Sequence, residues 1–344
     1  MKIEPTSVCT IILAYGARTE QLKKVIAGVF EQKTGYVLVV ANAVTNKTHQ
    51  MLADLKNIYI DRLEIVKSDE NLGSAGGYAL GLSTAIKNTY EYFWLLDDDN
   101  LPQKGAMAAL LDAFSFHQQS IKKRELVLLS HRESLPEIKD IAQKRYEPSL
   151  PLTASFIGFH IFNLCQAFCS MLSLNNPKAP TGLNNGKEMI RLSWAPYGGL
   201  FFHKDAIKTL GFPDPLFFLY ADDFAYTLNF TLKGGNLLLV PNSRIMDIEP
   251  AWNATGGKTS NIHRRLNVLS SEKTYYEVRN RIYIGRTMFP GHRLMYFLNK
   301  WVYLTLLGLL ALYYRRGKRL KLILRAVSDG EQGRLGKRNF DNES

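Results

Sequence analysis

Apolar runs of strand length alternate with helical spacing through the first hundred residues. VCTIILAY (Val8–Tyr15) is a continuous apolar run ended by Gly16. TEQLKKVIAGVFEQ (Thr19–Gln32) places Leu22, Val25, Ile26 and Val29 on one helix face, with Thr19 a suitable N-cap. YVLVVAN (Tyr36–Asn42) is β-branched and unbroken, the pattern of a strand covered on both faces. A second helix is predicted near His49–Leu55, a third strand at LEIVKS (Leu63–Ser68) and a third helix over GGYALGLSTAIKNT (Gly76–Thr89). Then comes YFWLLDDD (Tyr92–Asp99). Strands alternating with helices predict βαβ units, hence an α/β domain with a mostly parallel, Rossmann-like sheet flanked by helices. Ligands of such sheets bind beyond the carboxyl ends of the strands. The three aspartates stand at that end of theirs.

The middle of the chain is less regular. ELVLLSH (Glu125–His131) predicts a further strand. FIGFHIFNLCQAFCSMLSL (Phe156–Leu174) is apolar, but His160, Asn163 and Gln166 interrupt it, so a core strand and helix are expected there instead of a membrane span. A loop rich in Asn, Pro and Gly follows (175–187). Order returns over Arg191–Pro250: a strand, a short helix, a helix opened by ADD, a Gly-Gly turn and the strand NLLLVP. There is no internal repeat.

Composition narrows the class. The 344 residues are 46% hydrophobic and 11% aromatic, which excludes a disordered chain. Cys9, Cys165 and Cys169 are odd in number and lack metal-site spacing, so reduced core thiols are expected. The first residues lack an apolar segment ending in a small-residue cleavage site and read as a first strand. The net charge of +12 is unevenly placed: residues 1–257 hold 25 basic and 25 acidic residues, and residues 258–344 hold 18 and 6. A neutral body of 1–257, in halves of about 1–130 and 131–257, and a basic helical region of 258–344 are expected.

The basic region has its own pattern. The uncharged run Trp301–Tyr314 is short of the ~20 residues a spanning helix needs. Lys300 precedes it, and Arg315, Arg316, Lys318, Arg319 and Lys321 follow. Trp301, Tyr303, Tyr313 and Tyr314 stand near its ends. Aromatic and basic borders suit an interfacial helix, so residues 293–325 are expected to meet an anionic membrane surface from the cytoplasmic side. A packed helical hairpin or a homodimer interface is the other use of such a stretch. Nucleic acid is not expected, because no RNA-binding aromatic motif or zinc spacing accompanies the charge.

Three constellations could carry chemistry. Alternation along a strand would put Asp97 and Asp99 on one side and Asp98 on the other. Two carboxylates on one side offer hard oxygens to Mn²⁺ or Mg²⁺ beside substrate phosphates. Gly73, Gly76 and Gly77 in ENLGSAGGYALGL open a helix and permit close backbone approach to an anionic ligand. They form neither a dinucleotide fingerprint nor a P-loop. Asp222 and Asp223 open another helix after FFLY. An N-cap explains one of them, and the other could serve as a general base among aromatics that raise its pKa.

In order along the chain, LAY, NLGSAGG, WLLDDD and GGLFFHKDAIKTLGFPDPLFFLYADDFAY resemble an inverting family 2 glycosyltransferase with the GT-A fold. YYEVRNRIYIGR (Tyr275–Arg286) is similar to a segment of the rhamnosyl- and galactofuranosyltransferase branches. The resemblance covers residues 6–290. It implies that Asp97 and Asp99 hold Mn²⁺ or Mg²⁺ on the donor diphosphate. Tyr15, Arg18, Asn42, Asn71, Gly76, Gly77 and Asp98 would line the donor pocket, and Asp223, paired with Asp222, would take the acceptor proton. Two positions depart from the family pattern. Ala41 stands where many relatives carry Asp, and Asp247 stands where some bring a histidine to the metal, so Asp247 or His263 would complete the site. The implied reaction moves a hexose, galactofuranose or rhamnose among them, from a UDP- or dTDP-sugar to a lipid-linked or cell-surface glycan. A sugar nucleotidyltransferase is the alternative, but the single glycine of AYGART is a poor match to its Gly-rich loop. A catalytically inactive scaffold of the same fold is the other.

Overall fold

The computed structural model describes residues 3–144, 153–162, 189–249 and 261–340. These fall into two compact units. The first holds residues 3–144, 189–215 and 223–249. The second holds 153–162, 216–222 and 261–340.

The first unit is built on a sheet of nine strands: β1 (Val8–Gly16), β2 (Tyr36–Val44), β3 (Leu63–Ser68), β4 (Tyr92–Asp97), β5 (Asn100–Pro102), β6 (Leu126–Arg132), β7 (Ile190–Leu192), β8 (Leu200–His203) and β9 (Asn236–Asp247). Their order is β3-β2-β1-β4-β8-β6-β9-β5, with β7 also paired to β9. β1 to β4 are parallel, as the alternation predicts. Each is joined to the next by a helix: α1 (Thr19–Glu31), α2 (Asn46–Ile58) and α3 (Gly73–Ala85). Beyond β4 the sheet is mixed. β8 runs antiparallel to β4 and β6, and β5 and β7 run antiparallel to β9. Parallel neighbours need long crossovers, whereas short strands reached by loops can pair either way. β5, β7 and β8 have only three or four residues each.

Both faces of the sheet are covered. Ile12 and Ala14 of β1 pack with Leu22, Val25, Leu52 and, from α4 (Ala106–His117), Leu110 and Phe114. Cys9, Ile11 and Leu13 point the other way, toward Tyr78 and Leu82 of α3. This alternation explains why β1 reads as an unbroken apolar run. Burial pushes the Cys9 thiol pKa upward, leaving a core group without nucleophilic character. Cys165, Cys169 and most of the apolar patch after Phe162 lie outside the described residues. A short helix, α5 (Pro136–Lys144), follows β6; α6 (Ile207–Leu210) and α7 (Asp222–Leu232) follow β8.

The second unit centres on α8 (Ser271–Met288), α9 (Arg293–Tyr313) and α10 (Gly317–Glu331). Ser270 caps α8 by accepting the Lys273 N–H. Its core joins Tyr276, Val278 and Ile282 to Leu307, Ile323 and Ala326. Arg265 is buried there and is held by Glu277 (3.1 Å) and the Tyr303 hydroxyl (2.7 Å). Asn280, fully buried, donates to the carbonyls of Phe217 (3.0 Å), Leu219 (2.9 Å) and Tyr220 (2.7 Å). Arg279 donates to the Phe217 carbonyl as well (2.9 Å). Those bonds hold a turn in which Phe218, Tyr220 and Ala221 all have positive φ, a conformation costly for residues with a side chain. The Arg and Asn of EVRN are thus spent on backbone carbonyls, and its Glu on Arg265.

Candidate active site

β4 ends at Asp97, and Asp98–Asp99 form a tight turn into β5. The chain bends away after Asp97, so a turn, not strand alternation, separates the three carboxylates. Asp97 accepts the Tyr78 hydroxyl on Oδ1 (2.8 Å) and Nη1 of Arg132 on Oδ2 (3.2 Å). Asp98 is buried. It accepts the Tyr15 N–H (3.0 Å) and Nη1 of Arg18 (2.9 Å), which ties the β1–α1 loop to the end of β4. Asp99 lies 3.7 Å from Nη1 of Arg18 and accepts from the Asn100 amide (3.1 Å).

Asp247, at the end of β9, joins the same corner. It pairs with Nη2 of Arg132 (2.9 Å) and accepts from Asn100 Nδ2 (2.9 Å) and from the Ser134 hydroxyl. Asn100 is fully buried and organises the group: its Nδ2 serves Asp99 and Asp247, and its Oδ1 accepts the Asp97 N–H (3.1 Å). Gly198 closes the corner from one side. A Cβ there would lie 2.2 Å from Asn100 Oδ1, 2.7 Å from Asp97 Oδ2 and 2.9 Å from Arg132 Nη1.

Two guanidinium groups do not balance this much negative charge. Burial raises the Asp98 pKa to about 6, despite the opposing pull of Arg18 and the Tyr15 N–H. Asp99 is pushed up to about 7, first by burial and then by repulsion from Asp97, Asp247 and Asp98. Burial works against the charge of Arg132, but Asp97 and Asp247 outweigh it and raise its pKa. Tyr78 is driven well above the usual phenol range by burial and by Asp97. Surplus negative charge on hard oxygens fits Mg²⁺ or Mn²⁺ chemically. Among the described residues no group of three or more His, Cys, Asp or Glu side chains is arranged to hold a metal ion. A cation bound through one or two carboxylates, with phosphate and water completing its shell, needs no such group.

The other predicted residues are placed as follows. Tyr15 leaves its ring exposed (54%) beside the corner while its N–H serves Asp98. Asn42, buried at the end of β2, accepts the Leu72 N–H (2.8 Å) and donates to the Gly73 carbonyl (3.3 Å), and Asn71 accepts the Gly73 N–H (2.9 Å). Gly73 opens α3 at φ +69°. Gly76 and Gly77 are buried in its first turns. A Cβ on Gly77 would meet Leu13 at 2.4 Å, so this glycine lets α3 pack closely on β1. His263 belongs to the second unit, where its ring packs on Tyr314.

Asp223 opens α7 half-buried, and its Oδ1 accepts the Phe224 N–H (2.7 Å). The chain passes from the second unit into the first between Asp222, which is buried, and Asp223. α7 is pinned to the loop that carries Gly198. Buried Thr227 accepts the Ala195 N–H and donates to the Ala195 carbonyl, both at 2.9 Å. Tyr197 then touches Tyr226 of α7 on one side and Tyr78, the partner of Asp97, on the other. One loop therefore links the helix of Asp223 to the carboxylate corner.

Sequence reasoning passed over Asn100, Arg132, Ser134, Tyr78, Thr227 and Gly198 as site residues. Asn100 and Gly198 left traces, one directly after the triplet and the other in the Gly-Gly pair before β8. Arg132 left none beyond its place at the end of a strand.

Residues 9–127 match the profile of glycosyl transferase family 2. No curated protein matches the chain. Among solved structures, one of GalNAc-T7 with UDP, GalNAc and Mn²⁺ is similar at a TM-score of 0.53 and 15% identity. The similarity covers 79% of this chain and 48% of that one. This chain thus spans about half the length of that structure. The S. aureus TarS 1–349 structure gives a TM-score of 0.47 at 12% identity, covering 98% of this chain and 95% of that one. The fold is that of GT-A glycosyltransferases: an α/β unit with a mixed sheet flanked by helices, here with further helices at the C-terminal end. The match to glycosyl transferase family 2 falls on the β1–β6 part of that fold and favours an activity in glycosyl transfer.

Proposed function

We propose that this chain is an inverting, metal-dependent transferase. It moves a hexose from a nucleoside diphosphate sugar to a hydroxyl of a glycan acceptor. What carries this proposal is the gathering of Asp97, Asp98 and Asp99, inside the stretch that matches the family, with Asp247 from the end of β9. The Mn²⁺ and UDP in the GalNAc-T7 structure favour the same donor chemistry. The similarity of YYEVRNRIYIGR to rhamnosyl- and galactofuranosyltransferases favours UDP-galactofuranose or dTDP-rhamnose as the donor.

The residues divide the work. The exposed Tyr15 ring is available to stack on the nucleobase, and Arg18 presents a half-exposed guanidinium beside it. Asp98 fixes both by holding their loop. Asp97 and Asp99 would hold Mn²⁺ or Mg²⁺, which, when bound, offsets charge on the diphosphate leaving group. Asn100 and Arg132 keep Asp97 oriented through its N–H and its Oδ2. In the transfer, the acceptor oxygen attacks the anomeric carbon and the bond from that carbon to the diphosphate oxygen breaks. The hydroxyl proton passes to a carboxylate oxygen of Asp223, and the nucleoside diphosphate departs. Attack opposite the leaving group inverts the anomeric carbon.

Calorimetric titration of UDP and dTDP, with and without Mn²⁺, tests the donor site, and Asp223→Asn tests the base. Binding of one nucleotide should require the metal. Asp223→Asn should keep that affinity while transfer falls at least ~100-fold. Metal-independent nucleotide binding, or full transfer by Asp223→Asn, would overturn the proposal.

A further inference from the structure

α9 is two-faced. Among the described residues it is the one helix long and apolar enough to cross a bilayer, with a mean hydropathy of 1.4 over its apolar window. At ~1.5 Å per residue it is roughly 30 Å long. Yet one face belongs to the core of its own unit. Asn299, Tyr303, Leu307 and Ala311, four residues apart, are all buried. Asn299 donates to the Ala154 carbonyl (2.9 Å) and accepts the Ile161 N–H (2.9 Å). Tyr303 accepts from Arg265, whose other partner is Glu277. Crossing a bilayer would strip these partners away and strand a buried ion pair.

The opposite face is bare. Leu294 (76%), Phe297, Leu298, Trp301 (54%), Leu309 (60%) and Leu312 (76%) are exposed along it. Both ends of the stripe are basic. Arg293 opens the helix, exposed, beside a cleft of about 630 Å³ that Arg286 and Phe297 also line; Lys300, in the same cleft, is paired with Glu331 (2.8 Å). Arg315, Arg316 and Lys318 follow its last turn and are exposed. A second copy pairing along this stripe, parallel or antiparallel, would bring cationic ends against cationic ends. An anionic surface meets the charges and the apolar side chains together.

We infer that α9 lies in the plane of an anionic phospholipid bilayer. The stripe from Leu294 to Leu312 sits at the boundary of headgroups and acyl chains, and the cations at either end contact lipid phosphates. Buried Asn299 and Tyr303 hold the helix to its unit, so it docks without inserting across the membrane. Docking holds the chain beside lipid-linked molecules and is independent of which reaction it performs.

Co-sedimentation of the full chain with vesicles tests this. The vesicles are phosphatidylcholine alone or phosphatidylcholine with 30% phosphatidylglycerol, at low and high salt. The unaltered chain should pellet with the anionic vesicles at least ten times more than with neutral ones, and high salt should reduce the binding. Trp301→Glu combined with Leu309→Glu alters exposed positions, so its thermal melt should match the unaltered chain while its vesicle binding falls at least tenfold. Binding that ignores phosphatidylglycerol, or survives both substitutions, would overturn the inference. So would a chain that sediments as a dimer without vesicles and as a monomer once both glutamates are present, since a second copy would then cover the face. Should the double variant melt early, Trp301 gives a separate reading in the unaltered chain. Its fluorescence should be quenched by lipids brominated near the headgroup, judged against Trp301→Phe, and equal quenching in Trp301→Phe would also overturn it.

Discussion

Replacing Asp99 by Asn should make the metal-free protein more stable. Removing a buried, hydrogen-bonded carboxylate ordinarily costs stability, so the sign is diagnostic. Asp99 has a pKa near 7 in the fold against an ordinary 3.8, with burial the first cause and three neighbouring carboxylates the next. A carboxyl whose pKa is raised by folding holds its proton more tightly in the folded state. Its stabilising contribution is complete below the ordinary value and is lost as the pH climbs through about 7. At ~1.4 kcal/mol per pH unit the ceiling on that loss is about 4 kcal/mol. Asp97, Asp98 and Asp247 share the repulsion, and Asn would still accept from Asn100, so about 2 kcal/mol is expected at pH 8. In a domain of this size that raises the melting temperature by about 4–8 °C. Melting curves at pH 5 and pH 8, in chelator and in Mn²⁺, provide the measurement. Asp99→Asn should gain at pH 8 in chelator and gain only about a third as much at pH 5, which lies about a third of the way from 3.8 to 7. Mn²⁺ should stabilise the unaltered chain more than the variant. A variant that melts below the unaltered chain at pH 8 in chelator would show that Asp99 is a supporting hydrogen-bond partner and not a surplus charge.

Gly198→Ala should disrupt the carboxylate corner, the proposed donor site, because its Cβ would press on Asn100, Asp97 and Arg132 together. Metal-dependent nucleotide affinity should fall at least tenfold by calorimetry, and unchanged affinity would mean the corner has slack that the structure does not show. Asn280→Ala should leave the Leu219 and Tyr220 carbonyls of a positive-φ turn without this donor, while Phe217 keeps Arg279. At ~1–3 kcal/mol for buried polar groups left unsatisfied, unfolding in urea should show a loss of about 3 kcal/mol. A loss under about 1 kcal/mol would mean water replaces the amide.

Much of this protein was legible from residues alone. The alternation of β1 to β4 with α1 to α3 is written in periodicity, because strands buried on two faces and helices buried on one leave different patterns. The acidic triplet marked the end of β4 as an unusual place, because folding gains nothing from crowding like charges, and in the fold a fourth carboxylate, Asp247, joins it there. The apolar run with basic borders announced an unusual helix in the same way. Tertiary structure decided the rest. Asp247 and Arg132 reach Asp97 through β9 and β6, strands far away in sequence, and no local spacing records a sheet order. The antiparallel half of the sheet depends on strands of three or four residues, too short to carry a period. The asparagines of NLG and EVRN look like ligand groups in a sequence, yet both are occupied by backbone, because a buried carbonyl or N–H must find a partner wherever the chain turns. The uncharged run Trp301–Tyr314 reads as too short to span a membrane, whereas α9 proves to be 21 residues long. Its buried face, fixed by Asn299 and Tyr303 against other segments of its own unit, was decided by the tertiary structure.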